Sequence, residues 1–346
     1  MRERDLTILS GEEVAAVLAG QELVIVETVK KAYQAHGKGQ SSLPHSTFLN
    51  FPDDPANRII ALPSYLGGEM KSAGVKWIAS FPANLKEGTD RASAVLILNS
   101  PENGRPKAIL ESSIISARRT AASAALAAQT LGGGKARVVG LMGCGLINFE
   151  IVRFLVALYP GIRQLMLFDL DLTSANFFQA KCADVFPQLH FEVAPDIDTL
   201  LRQSSLISFA TTSGKPYVQS FAMCAPGTVV LHISLRDLAP EVILASDNVV
   251  DDVDHVCRAG TSIHLTEQQV GNRNFIRCTL ADLLNGTAGP AKDEERVVVF
   301  SPFGLGILDI ALGELVLQLA GKKGCGSVIK SFLPSPWRQT KSTVLA

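Results

Sequence analysis

The sequence predicts an α/β protein in which a doubly wound parallel sheet follows a mixed α+β region. Three observations point there. From about residue 136, short apolar strands alternate with helical patterns, as in a parallel sheet covered by helices on both faces. A glycine-rich turn at 143–145 joins the first of those strands to a helix. The first third instead carries closely spaced extended runs and the hairpin dipeptide Asn103-Gly104, the mark of an antiparallel sheet.

Each element has a local cause. Ser10-Gly11-Glu12-Glu13 is a capping box: the serine hydroxyl satisfies one free helix N–H and Glu13 reaches back to another. A helical pattern runs from there to about Lys38, and extended runs follow at 58–62, 73–80, 94–99 and 107–111. An alanine-rich helix at about 114–131 stops at Gly132-Gly133-Gly134, because glycine takes the C-cap conformation easily. Strands are predicted at 136–141, 164–169, 190–193, 206–210, 228–234 and 249–251, with helices at about 146–158 and 172–185. A strand at 297–301, a helix at about 305–320 and an irregular tail at 334–337 complete the pattern.

Composition excludes several classes of function. The 346 residues include 32 Lys+Arg against 33 Asp+Glu, a net charge of −1, which does not suit a nucleic-acid surface. A hydrophobic share of 47% excludes an intrinsically disordered chain. No run reaches the roughly 20 apolar residues of a membrane span, and residues 1–10 lack the apolar centre of a signal peptide. The six cysteines (144, 182, 224, 257, 278, 325) form no C-x-x-C pair, and the six histidines never fall in an H-x-x-x-H spacing. These point to reduced thiols in a cytoplasmic protein, with no metal.

The most informative stretch is Ala136-Arg-Val-Val-Gly140-Leu-Met-Gly143-Cys-Gly145-Leu-Ile-Asn148, an apolar strand running into a glycine turn and a helix. Such glycines let backbone approach a pyrophosphate, and the helix N-terminus supplies N–H donors. The third glycine of G-x-G-x-x-G is replaced by Asn148. Asp169 ends the next predicted strand, 24 residues after Gly145, where a ribose-binding acid is expected. An acid there accepts from a 2′-hydroxyl and repels a 2′-phosphate. A Rossmann-type NAD-binding domain is therefore expected. Farther upstream, Lys76 interrupts the apolar run Val75-Lys76-Trp77-Ile78, where a cation is costly unless an anion meets it.

The segment Ile114-Ile-Ser-Ala-Arg-Arg119-Thr120-Ala-Ala-Ser, followed by this glycine turn, resembles the ornithine cyclodeaminase/μ-crystallin family over nearly the whole chain. Asn57-Arg58-Ile-Ile-Ala-Leu-Pro-Ser-Tyr-Leu-Gly-Gly68, Gly74-Val-Lys76-Trp-Ile-Ala-Ser80 and Asp90-Arg91-Ala-Ser93 resemble one branch most closely. Its members oxidise N-(2-amino-2-carboxyethyl)-L-glutamate with NAD in siderophore pathways and release L-2,3-diaminopropionate and 2-oxoglutarate. The resemblance implies a discontinuous α+β substrate-binding and dimerisation domain, 1–118 and 305–346, around a Rossmann NAD-binding domain, 119–304. It implies a homodimer paired through the sheets, and an amino-acid-derived polycarboxylate as substrate; the charge balance and the lack of a long apolar run leave no nucleic-acid or membrane partner expected.

The resemblance also assigns roles. Lys76 matches an active-site lysine that contacts substrate carboxylate and assists proton transfer, and Asp237 matches a catalytic aspartate. Arg119 matches an arginine that clamps carboxylate or phosphate, with Thr120 at the cofactor phosphates and Arg118 as the solvated neighbour. Gly143, Gly145, Leu146 and Ile147 match the pyrophosphate turn, Asp169 the ribose acid, and Thr212, Ser234, Phe303 and Gly304 positions toward the nicotinamide. Arg91 stands where cyclodeaminases have threonine, and with Arg58 it offers cations for a substrate carrying three carboxylates.

Other departures matter. No arginine occurs in 45–49, Leu235-Arg236 replaces a Gly-Gly pair, and Glu241 replaces a lysine. All three weigh against an ornithine substrate. The alternatives are an ornithine cyclodeaminase, a ketimine or pyrroline-carboxylate reductase, an alanine dehydrogenase, and a μ-crystallin-like nicotinamide-dependent ligand-binding protein.

Overall fold

The computed structural model describes residues 4–289, 293 and 295–337. Its first elements are β1 (Leu6–Leu9), α1 (Gly11–Leu18), α2 (Glu22–Gly37), β2 (Ser41–Ser42), β3 (Thr47–Phe51), β4 (Asp54–Leu66), β5 (Ser72–Ser80), β6 (Ala92–Asn99), β7 (Pro106–Glu111) and α3 (Ser113–Thr130). Then come β8 (Val138–Met142), α4 (Leu146–Leu158), β9 (Gln164–Phe168), α5 (Leu172–Val185), β10 (His190–Val193), α6 (Ile197–Gln203), β11 (Leu206–Phe209) and β12 (Val229–His232). The remainder is α7 (Pro240–Ala245), β13 (Asp247–Val250), α8 (Val253–Val256), α9 (Ser262–Val270), β14 (Ile276–Thr279), α10 (Leu280–Asn285), β15 (Val298–Ser301), α11 (Gly306–Lys323) and β16 (Ser327–Ile329). These form two compact units, one of Met1–Gln21, Gly39–Ser116 and Gly306–Ala346, the other of Glu22–Lys38 and Ala117–Leu305.

In the first unit the strands run in the order β16-β1-β7-β6-β5-β4-β2, with β3 also on β4. β4 to β7 form an antiparallel meander. Its last turn is the expected Asn103-Gly104 hairpin, with Gly104 at φ 73°. The sheet is mixed rather than wholly antiparallel, because β1 enters beside β7 in the parallel sense; the two are not consecutive strands, so no hairpin fixes their direction.

One face of this sheet carries α11. Leu96, Leu98, Ala108 and Leu110, spaced two apart, are fully buried, as strand alternation requires. The helix lies unusually close. A Cβ on Gly306 would sit 2.9 Å from Ser64 Oγ, and one on Gly313 would overlap Leu96 Cδ2. The opposite face leaves Tyr65, Trp77 and Val95 exposed, with Trp77 directly opposite Val95 across β5 and β6.

The helical pattern expected to run unbroken to Lys38 is two helices. Ser10 and Glu13 form the capping box of α1, and Gly20, at φ 69°, turns the chain before α2. Within the span 1–118 expected for the first domain, α2 groups with the second unit. It packs on α4 and α10, Gln34 Nε2 donates to Leu284 O at 3.1 Å, and Tyr33 Oη meets Ser123 Oγ at 2.8 Å. An amphipathic stripe shows that a helix has a buried face, but not which core receives it.

The second unit holds one sheet in the order β10-β9-β8-β11-β12-β15-β13-β14, with every pair parallel. Its central strands are buried on both faces, so β11 reads Leu-Ile-Ser-Phe with no exposed position. The chain goes outward from β8 through β9 and β10, then returns to place β11 on the other side of β8. This is the Rossmann-type doubly wound sheet that the alternation predicted.

Candidate active site

The reversal of strand order brings the carboxyl ends of β8 and β11 together, the place where open α/β sheets bind ligands. Gly143 turns the chain there at φ 90°, and a Cβ on it would meet Ala210 O at 2.7 Å. Gly145 is different: no heavy atom lies within 4 Å of its would-be Cβ. It precedes α4, whose first N–H groups receive no side-chain cap. Leu146 is exposed and Ile147 half-buried in the first turn. Space beside uncapped N–H donors fits a pyrophosphate.

Asp169 closes the turn from the end of β9. Its Oδ2 accepts from Cys144 N–H at 2.8 Å and its Oδ1 from Asp171 N–H at 3.0 Å. Each oxygen keeps a lone pair for a ribose hydroxyl. Burial, together with the Asp169 charge, pushes the Cys144 thiol up to about 12, so it stays protonated and serves packing.

Asn148 explains the missing third glycine. It is fully buried, its Nδ2 donates to Met142 O at 3.0 Å and Gly143 O at 2.7 Å, and its Oδ1 accepts from Ser208 at 2.7 Å. A side chain here ties the turn to β8 and β11. Restoring the glycine with Asn148→Gly is therefore expected to lower stability by about 1–3 kcal/mol and weaken NAD binding. A thermal melt and an NAD titration check both.

A cavity of about 110 Å³ lies within the second unit, lined by Arg119, Thr120, Ser123, Ile233, Pro302, Phe303 and Gly304. Four predicted site residues thus share one wall. Arg119 is 8% exposed. Gly304, at φ 94°, lies where a Cβ would be 2.8 Å from Arg119 Nη1, so the guanidinium takes the room a side chain would need. Asp251 holds this turn: it is fully buried and accepts from Phe303 N–H at 2.8 Å and Gly304 N–H at 2.7 Å. Arg118 is not the solvated neighbour the sequence suggested. Its Nε pairs with Glu150 at 2.9 Å and its Nη1 with Glu22 at 3.2 Å, because α2 and α4 both bring acids to this side of α3.

Asp237 lies in the loop after β12 and is fully buried. Thr211 Oγ1 donates to its Oδ1 and Ser234 Oγ to its Oδ2, while His232 Nε2 lies 3.2 Å from Oδ2. The other ring nitrogen of His232 faces Ser301 Oγ at 3.1 Å. Burial pushes the Asp237 carboxyl up, but hydrogen bonds from His232, Ser234 and Thr211 outweigh it and hold the group below the usual carboxylate range. Thr211 makes this contact, while Thr212 stands exposed beside it. Leu235, where relatives were expected to have glycine, adopts φ 75°, a strained conformation costing about 1–3 kcal/mol.

In the first unit, Lys76 is 2% exposed on β5. Its anion is Asp309 of α11, with Nζ 2.9 Å from Oδ2, and it also donates to Ser116 Oγ at 3.1 Å. The second cationic feature is a pair. Arg58 faces Ser80 in the β4–β5 register, and Arg91 Nη1 reaches Ser80 Oγ at 3.5 Å. Burial and the nearby Arg58 charge lower the Arg91 pKa. Arg58 Nε is buried without a hydrogen-bond partner, and among the described residues neither arginine is paired with a carboxylate.

Sequence reasoning missed Asp309, Asp251, His232 and the structural use of Asn148. For Asp309 a signal existed: it lies in Gly306-x-x-Asp309-x-x-x-Gly313, an acid on the same helical stripe as two glycines.

Residues 7–324 match the sequence profile described as the ornithine cyclodeaminase/mu-crystallin family. The chain is 26% identical over 337 residues to N-((2S)-2-amino-2-carboxyethyl)-L-glutamate dehydrogenase of Staphylococcus aureus, covering 95% of this chain and 99% of that one. Among solved structures it is similar to an archaeal alanine dehydrogenase dimer with bound NAD, with a TM-score of 0.85, 26% identity, and coverage of 94% of this chain and 99% of that one. The Δ(1)-pyrroline-2-carboxylate reductase of Thermococcus litoralis, solved with NADH and L-proline, shares the fold with a TM-score of 0.86 at 22% identity, covering 93% of this chain and 99% of that one.

Proposed function

From the premise that this chain belongs to the ornithine cyclodeaminase/μ-crystallin family, we propose that it oxidatively cleaves N-(2-amino-2-carboxyethyl)-L-glutamate to L-2,3-diaminopropionate and 2-oxoglutarate. It is an NAD-dependent oxidoreductase acting on an amino-acid CH–NH bond. The observation that carries the specific substrate is the Arg58–Arg91 pair. Two half-buried guanidiniums side by side, without a carboxylate, are a costly arrangement unless an anionic ligand completes it. A tricarboxylate does so. Ornithine would instead bring a further cation to them.

NAD supplies the hydride acceptor, held at Gly143, Gly145, Leu146 and Ile147, with Asp169 on the adenosine ribose. In the overall conversion the glutamate Cα–H and the N–H proton are lost, a C=N bond forms, and water adds to carbon and splits it. One NADH and one proton appear per product pair. In the first unit Lys76 takes a substrate carboxylate and its ammonium delivers a proton to the departing nitrogen; in the second, Arg119 offers its guanidinium to a carboxylate or phosphate. Asp237 stays ionised and stabilises the positive charge that develops on nitrogen, rather than acting as the base for water, since its oxygens are already engaged.

Asp237→Asn is expected to leave NAD affinity unchanged and lower turnover about 10²-fold or more; unchanged kcat would remove Asp237 from the mechanism. The proposal as a whole is tested by mixing purified protein, NAD and the substrate, with reduced cofactor and 2-oxoglutarate both measured. The exposed Tyr65–Trp77–Val95 face supports pairing of two copies through their sheets. Trp77→Arg should then sediment as a monomer, and a dimer unaffected by that change would place the interface elsewhere.

A further inference from the structure

We infer that Asp309 is a positioning residue for this chemistry, holding Lys76 as a fixed ammonium at the point where a substrate carboxylate is met. The inference rests on the role given to Lys76 above. Asp309 is fully buried and Lys76 nearly so, with 2.9 Å between Oδ2 and Nζ. Across the strands, the neighbours of Lys76 are Leu62 on β4 and Leu96 on β6, which offer no charge. Between two leucines, a facing carboxylate favours the ammonium form of a lysine over the amine.

The approach of α11 fixes that carboxylate. Asp309 lies three residues after Gly306 and four before Gly313, on the stripe that touches the sheet. Because Gly306 and Gly313 let helix backbone rest against β4 and β6, an aspartate is long enough to reach Lys76. Two acids on the packed elements have partners of their own. Glu314 of α11 bonds Lys107 of β7 and Ser72 of β5, and Glu13 of α1 bonds Ser10 and Gly326 N–H. Arg58 of β4 stands level with Ser80, four residues and about 13 Å along the strand from Lys76.

A purely structural pair would fasten α11 to the sheet without setting the charge on Lys76. The two roles separate in a titration. Full-length protein with NAD bound is pulse-labelled with acetic anhydride from about pH 6 to about pH 10. The peptide containing Lys76 is then quantified by mass spectrometry against exposed Lys30 as the internal standard.

In Asp309→Asn, the pH of half-labelling of Lys76 is expected to fall by about one unit or more, because the neutral amine gains once its anion is gone. The alkaline limb of kcat/KM should move the same way, since activity needing the ammonium is lost as pH rises through its pKa. Asp309→Glu, which keeps the charge on a longer arm and covers the case in which the asparagine variant does not fold, should shift less. Equal half-labelling pH in wild type and both variants would overturn the inference. Full turnover by Lys76→Met would instead overturn the catalytic reading on which it rests.

Discussion

Lys76→Met is expected to lower turnover about 10³-fold and, by itself, to cost about 3–5 kcal/mol of stability. The second effect follows from what stays behind. Asp309 would remain fully buried on α11 without the ammonium that faces it at 2.9 Å. The double variant Lys76→Met with Asp309→Leu should regain most of that stability, because well-packed apolar side chains replace a buried pair at little net cost. It should regain no activity. Thermal melts and NADH formation on the single and double variants check both halves. Activity returning with stability would show that Lys76 serves only to fasten the helix.

Gly143→Val is the second large effect, and it acts on the cofactor. The residue adopts φ 90°, where a β-branched side chain is strained by about 1–3 kcal/mol, and its Cβ would lie 2.7 Å from the Ala210 carbonyl oxygen. Relief requires the ends of β8 and β11 to separate. That displaces Cys144 N–H from Asp169 and Asn148 from the Met142 and Gly143 carbonyls. NAD affinity is expected to fall by about 100-fold or more, equivalent to about 2.7 kcal/mol. Calorimetric titration with NAD measures it, and an affinity within threefold of wild type would mean that the cofactor does not use this turn.

The contrast between these two sites marks how far the sequence could be read. The glycine turn was legible because its parts are local. An apolar strand, two glycines, a helix and an acid at the end of the next strand lie within one short stretch, and each has a backbone reason to be there. The limits of α4, α5 and β10 were equally legible, since period and length agree. Lys76 could be recognised as a cation in need of an anion, but not by which anion. Asp309 comes more than 200 residues later, and only the packing of α11 on β5 joins them.

The same holds for α2, whose amphipathic pattern is complete yet silent about the unit it joins. It holds also for Arg118, whose acids arrive from two other helices. Asn148 misled in the opposite sense. Against the glycine pattern it reads as a defect, whereas its amide is the bond that keeps the turn in place. Leu235 also breaks a glycine pattern, and there the strained backbone conformation is kept without the glycine.

The measurement that bears most directly on the proposed reaction is a stoichiometry. Purified protein is incubated with NAD and N-(2-amino-2-carboxyethyl)-L-glutamate, and NADH, 2-oxoglutarate and 2,3-diaminopropionate are quantified together, with ornithine as a parallel substrate. The account predicts the three products in equal amounts from the first substrate, a strong loss of that turnover in Arg58→Ala and Arg91→Ala, and no proline from ornithine. Proline and ammonia from ornithine without net NADH, or no 2-oxoglutarate from the tricarboxylate, would contradict it.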